Sequence, residues 1–477
     1  MVVVVQALGE DEMPSACGIV LETEDITGST TATSDDEDGD ATSEPESDSS
    51  TEPDEEILGT SELQTIFNIV KNIVGEGMLS LSAGVAAGTG VITGAIIVFL
   101  FGGFLGYTFN VMGRVCHATG KNSHKECAKV VGGPILARGM AGVCMLKTAS
   151  TCISYAIVVS QSVPRILAYL DVAGWYTERQ IVLISVVVLV LLPLCLQRDL
   201  SCLSYTSLIG IICEVSVIVF MQIRLLDGSY QPGGTFYDSN EPADRPHGDR
   251  LKWPVTISTF ILVSSVLTAF IAHYNAPKFY LKMANPSPEK WLRVVTVSFV
   301  ISSGLYVWVM VVGYLTFRQS CQGLILNNYS DKDKFAAAAR ALMCVAVVFA
   351  FPLAFTGLRD SVLAVVGLRD RRRTFAAITI AILAAITSIA CVVTDLGLLN
   401  SFGGAVFGSL ITMIFPALLI LLTAKKLPET KVFGRVEARM SWVVLGLGLV
   451  FMCLGCFVVV CNTYYPGVLR PHGSRRT

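Results

Sequence analysis

Eleven stretches of roughly twenty mostly apolar residues, joined by short polar connections, dominate this chain from about residue 63 to residue 462. A helix of that length is about as long as the ~30 Å hydrocarbon core of a bilayer is thick. They are expected at roughly 63–89, 91–114, 139–164, 179–197, 203–225, 253–276, 292–316, 335–357, 375–394, 399–423 and 441–462. Hydrophobic residues make up 52% of the chain and charged residues only 15%. A soluble domain carries nearer a quarter, so lipid must cover much of the surface. The reading is an all-α, multi-pass integral membrane protein.

Three regions follow. Residues 1–62 hold 19 of the 38 acidic residues and no Lys or Arg. Their Ser, Thr, Asp and Glu cannot bury enough apolar surface to offset chain entropy. They are expected to be a disordered acidic tail, either merely solvated or a target for an acid-directed kinase. Residues 63–462 are the membrane domain and 463–477 a short C-terminal tail. MVVVVQALGEDE lacks the basic start and long apolar core of a cleavable signal, so the first span is expected to direct insertion. With the tail in the cytoplasm, inner connections hold 20 basic residues and outer segments 13, as the positive-inside rule asks. Asn328-Tyr329-Ser330 is a glycosylation sequon on the expected outer side. Most cysteines lie inside apolar blocks and act as small hydrophobes. No metal site, organic cofactor or nucleic-acid partner is expected.

Several blocks then occur in order. Phe67-Asn68 precedes Gly75-Glu76-Gly77-Met78-Leu79. Thr119-Gly120-Lys121-Asn122-Ser123 and Gly132 follow, then Leu192-Pro193-Leu194, Arg198-Asp199-Leu200 and Leu203-Ser204-Tyr205-Thr206-Ser207. Ala269-Phe270, His273-Tyr274-Asn275 and Tyr280 come next, and last Phe351-Pro352-Leu353 with Arg359-Asp360-Ser361. With these blocks the chain resembles the amino acid/auxin permease family, nearest to its sodium-coupled neutral amino acid transporter branch. The resemblance implies a leucine-transporter-like fold, with 5+5 inverted repeats, broken first and sixth helices, and an eleventh helix added. It implies a secondary active transporter of amino acids that works by alternating access.

The residues give their own reason for the first break. Gly75 and Gly77 each weaken a helix interior by about 1 kcal/mol relative to Ala. An unwound turn frees backbone N–H groups and aims the positive end of the next half-helix at an anion such as a substrate carboxylate. Asn68, Gly75, Glu76, Gly77 and Met78 are therefore candidate substrate contacts. The sixth span has no glycine; Ser264-Ser265 is its expected weak point and joins the substrate set.

Charge at bilayer depth is costly and usually faces a cavity or a partner. Lys71, Glu76, Lys147, Glu214 and His273 lie within the spans, and their pairing is open at this stage. The sodium-coupled branch usually has Asn where this chain has Lys71, and Asn72 is turned by about 100° from that position. The branch also tends to carry hydroxyls where this chain has Val348 and Ala350. Lys71 either supplies a positive charge in place of sodium or snorkels to the surface. A proton, or no coupling sodium at all, is thus expected. Glu76 could meet the substrate ammonium, carry a proton or pair with Lys71. Lys147 and Glu214 are structural or coupling groups, His273 is expected to cap the inner end of the sixth helix, and Arg359 either anchors the eighth or gates. An amino-acid-sensing receptor on the same fold and a sodium-coupled symporter are the competing readings. Motifs of hydrolases, metalloenzymes and channel filters are not seen, so the chain is not expected to be an enzyme. The expected membrane is the plasma membrane or a vacuolar or lysosomal one.

Overall fold

The computed structural model describes residues 59–197, 203–248, 255–366 and 372–465. The acidic stretch 1–58, where kinase targets are expected, lies outside them, as do the polar turn at 198–199 and residues 466–477. The helices are α1 (Glu62–Ile73), α2 (Leu81–Ala86), α3 (Val91–Thr119), α4 (His124–Tyr169), α5 (Arg179–Cys195), α6 (Leu203–Leu226) and α7 (Thr259–Ala269). They continue as α8 (Ala276–Lys282), α9 (Pro288–Phe317), α10 (Lys334–Val366), α11 (Arg372–Val392), α12 (Leu396–Lys426) and α13 (Arg435–Tyr464). Among the described residues nine spans are long and apolar enough to cross a membrane, α7 and α8 counting as one. The other two of the expected eleven are the broken pair α1–α2 and the short α5. Isolated bridges, Thr60 with Met283 and His247 with Arg318, are the only strand-like pairings among the described residues.

Local chemistry sets the ends. Ser61 caps α1 in a reciprocal box with Gln64, at 3.2 and 3.1 Å. The third span begins well before the expected residue 139, because Ser123 caps a polar helical turn that hydropathy cannot see. Gly133, at φ 82°, then kinks α4 ahead of Pro134.

Packing separates the helices into groups. α9 lies along α3 and α1, whereas α10 lies along α4 and α6. The first half of the fold opens with a broken helix, α1–α2, and so does the second, α7–α8.

At the Asp333 face of the bundle, polar side chains hold the segment between α9 and α10. Arg224 donates to both Asp333 carboxylate oxygens, at 2.8 and 2.6 Å, and Tyr230 donates to the same carboxylate at 3.0 Å. Asn328, the sequon asparagine, lies in this segment. The residue is 1% exposed. Its Nδ2 donates to Ser320 O and its Oδ1 accepts from Gln322 N, both at 2.8 Å. A buried amide with both ends occupied predicts an unmodified side chain.

Candidate substrate and coupling site at two helix breaks

α1 stops because Val74 and Gly75 are extended, with Gly75 at φ −173° and ψ −156°. A 3₁₀ turn, Glu76–Ser80, then leads into α2. Beside Gly75 lies a cavity of about 70 Å³, lined by Lys71, Tyr155, Glu214 and the α10 residues Ala346, Phe349 and Ala350. A Cβ on Gly75 would meet nothing within 4 Å, whereas one on Gly77 would stand 3.2 Å from Ala269 Cα. Gly77 is therefore the close contact between the two breaks, and Gly75 opens onto the cavity.

The second break corrects the expectation at Ser264-Ser265. α7 runs unbroken through both serines to Ala269. Ser265 donates to Ile261 O at 3.0 Å and shares a 3.0 Å bond with Ser401 Oγ, while Ser264 packs against Gly404 and Gly455. The helix ends at Phe270–Ala272, and a 3₁₀ turn at His273–Asn275 precedes α8. His273 thus sits at the break and not at the inner end of the span. It is fully buried, and its Nε2 lies 3.2 Å from Leu105 O and 3.0 Å from Thr108 Oγ1. A carbonyl only accepts, so Nε2 carries the proton.

The ionisable groups act on one another across helices, beyond the range of a direct ion pair. Lys71 on α1 interacts through space with Glu214 on α6, and Glu76 interacts with Lys147 on α4. Lys147 is buried and donates to Thr151 Oγ1 at 2.5 Å. Asn72 accepts from Asn275 Nδ2 at 2.9 Å and so ties the two broken spans together. Met78 is fully buried beside them.

Two expected residues stand apart. Asn68 is on the exposed face of α1, two turns before the break. Arg359 is buried, donates to Cys195 O at 3.1 Å and lies 4.1 Å over the Phe375 ring, which anchors α10 to α5 and α11. Sequence reasoning missed Tyr155, which lines the cavity, and Tyr306. Neither carries a charge or belongs to a motif, and composition gives no reason to single them out.

A larger opening, of about 260 Å³, lies at the far end of α2 between Ala87, Ile261, Asp395 and Asn462. Two openings on either side of paired helix breaks suit a carrier whose binding turn is reached from either face in turn.

The sequence pattern of the family described as transmembrane amino acid transporter protein matches residues 59–461. This chain belongs to that family. Human sodium-coupled neutral amino acid transporter 7 is 25% identical over 425 residues, covering 84% of this chain and 86% of the relative. Arabidopsis thaliana amino acid transporter AVT6E is 22% identical over 413 residues, covering 82% and 81%. The crystal structure of MhsT in complex with L-phenylalanine superimposes with a TM-score of 0.53 at 12% identity, covering 84% of this chain and 99% of that one. That likeness gives the transporter its leucine-transporter-like fold.

Proposed function

We propose that this amino acid transporter carries a neutral, zwitterionic substrate by alternating access without a coupling sodium ion. The single observation that supports this is the cavity at the first break. There α1 faces α10 across a space lined by Lys71 and the apolar side chains of Ala346, Phe349 and Ala350. A coupling cation needs converging oxygens; a lysine head group instead repels one.

In this reading the substrate carboxylate docks on the N–H groups freed at residues 75–77, and its ammonium approaches Glu76. Lys147 balances Glu76, and Glu214 balances Lys71. The four charges sum to zero, which favours a substrate without net charge. Protonation of Glu214 would release Lys71 from its partner, giving a route for proton coupling. The Lys71 end faces the cytoplasm, following the distribution of basic residues.

The relatives' names and the Glu214 carboxylate in the cavity favour a second reading, sodium symport. Uptake into proteoliposomes decides, with sodium replaced by choline at fixed pH and the proton gradient set separately. Unchanged uptake in choline, and loss of uptake with a protonophore, are expected. Collapse in choline overturns the proposal.

A further inference from the structure

When α1 and α7 stop in mid-membrane, their last carbonyls lose their helical partners. Two of these are Ile73 O and Ala269 O, and they converge on one point. That point is the hydroxyl of Tyr306 on α9, which lies 2.7 Å from Ile73 O and 2.8 Å from Ala269 O. A phenol has one proton to donate, so the two carbonyls share it in a three-centre bond. Tyr306 is 1% exposed. Its ring is braced edge-on by Phe270 at the second break, with centroids 4.9 Å apart, and Phe270 stacks in turn on Phe299. The hydroxyl is thus fixed in place before any substrate arrives.

Carbonyls freed at paired breaks are where transporters of this architecture can hold a cation. A cation bound there would draw two helix C-terminal ends, each carrying partial negative charge, onto one centre. Here a side-chain donor does so. We infer that Tyr306 is a positioning residue for transport: its hydroxyl is a built-in substitute for a cation between the breaks, and it holds the two half-helices in the geometry that the substrate needs. This goes beyond the sodium-independent reading above, which rests on the separate cavity at Lys71.

The substitution lets the two roles be told apart. Tyr306→Phe keeps the packing and removes the proton, leaving two buried carbonyls without a donor. Uptake is expected to fall at least ~10-fold, the range for an unsatisfied buried polar group. Tyr306→Ser removes the ring as well and opens space between the same carbonyls. Purified Tyr306→Ser protein is expected to gain thermal stability in sodium, potassium or lithium chloride relative to choline chloride, and its uptake is expected to rise with the same cation. The native protein's melting temperature should not distinguish these salts.

The inference is overturned if Tyr306→Phe transports at the native rate. It is also overturned if Tyr306→Ser shows neither a cation-specific thermal shift nor cation-dependent uptake. The thermal shift is read without transport, so it remains decisive if a variant is inactive. A sodium requirement of the native protein's uptake would sink the reading from Lys71 and leave the comparison among Tyr306 variants intact.

Discussion

Gly77 and Ala269 bring the two broken spans into backbone contact: a Cβ on Gly77 would stand 3.2 Å from Ala269 Cα. The neighbour is main chain and can yield only if a whole break moves. Gly77→Ala is therefore expected to destabilise the protein by about 1–3 kcal/mol, and Gly77→Val by more, with loss of uptake. Gly75→Ala is expected to leave thermal stability nearly unchanged, because the added methyl enters open space and the backbone there is extended. Its uptake should still fall, since that space is the cavity. Equal melting temperatures for the Gly75→Ala and Gly77→Val variants would refute this division of roles.

Lys71 and Glu214 should behave as a unit. Lys71→Met leaves Glu214 without its balancing cation, and Glu214→Gln leaves Lys71 without its anion. Removing one partner of a buried pair costs about 3–5 kcal/mol, while removing both is often far milder. These groups are only partly buried, so smaller single effects are expected. The double variant should be more stable than the sum of the singles predicts, by about 0.5–3 kcal/mol. Additive losses in denaturation midpoint would show that the two do not interact.

The two breaks were unequally legible in the sequence. The first announces itself through Gly75 and Gly77, because a glycine pair weakens helix wherever it sits. The second carries no local signal. Phe270-Ile271-Ala272 would continue a helix in isolation, and Ser264-Ser265 looked weaker by composition. What ends α7 is tertiary: Gly77 pressing on Ala269, Tyr306 holding its carbonyl, and His273 tied to Leu105 on α3. The charged residues were visible one by one, but pairing Glu76 with Lys147 and Lys71 with Glu214 needs the packing of α4 and α6. The eleven spans were legible because each must satisfy a bilayer. Only their polar extensions, such as the first turns of α4, escaped hydropathy.

Asn328 gives a direct check on the Asp333 face. Because its side chain is buried with both amide functions bonded, glycosidase treatment of the protein from a glycosylating host should not change its mass at this position. Asn328→Asp loses the Nδ2 donor to Ser320 O and should lower stability by about 1–3 kcal/mol. A glycan found on Asn328 by peptide mass spectrometry would contradict the arrangement described here.

The last prediction concerns the segment leading into α1. Thr60 N donates to Lys282 O at 2.7 Å and Ala284 N donates to Thr60 O at 2.9 Å, a parallel bridge that fastens the start of α1 to the end of α8. Thr60 Oγ1 adds a bond to Lys282 O at 2.9 Å. Only a glycine fits before it, since a Cβ on Gly59 would lie 2.7 Å from both Ala284 Cα and Ala284 N. At the other end of these half-helices, Asn275 donates to Asn72 at 2.9 Å. α1 and α8 are thus joined near both ends and should move together. Gly59→Val is expected to break the surface bridge, at about 1 kcal/mol per lost backbone bond, while Asn72–Asn275 persists. Amide hydrogen exchange should then rise at Thr60 and Ala284 and stay low around Asn72 and Asn275. Protection at Thr60 that survives Gly59→Val would mean the bridge does not depend on this close approach, and the coupled movement of α1 and α8 would lose its basis.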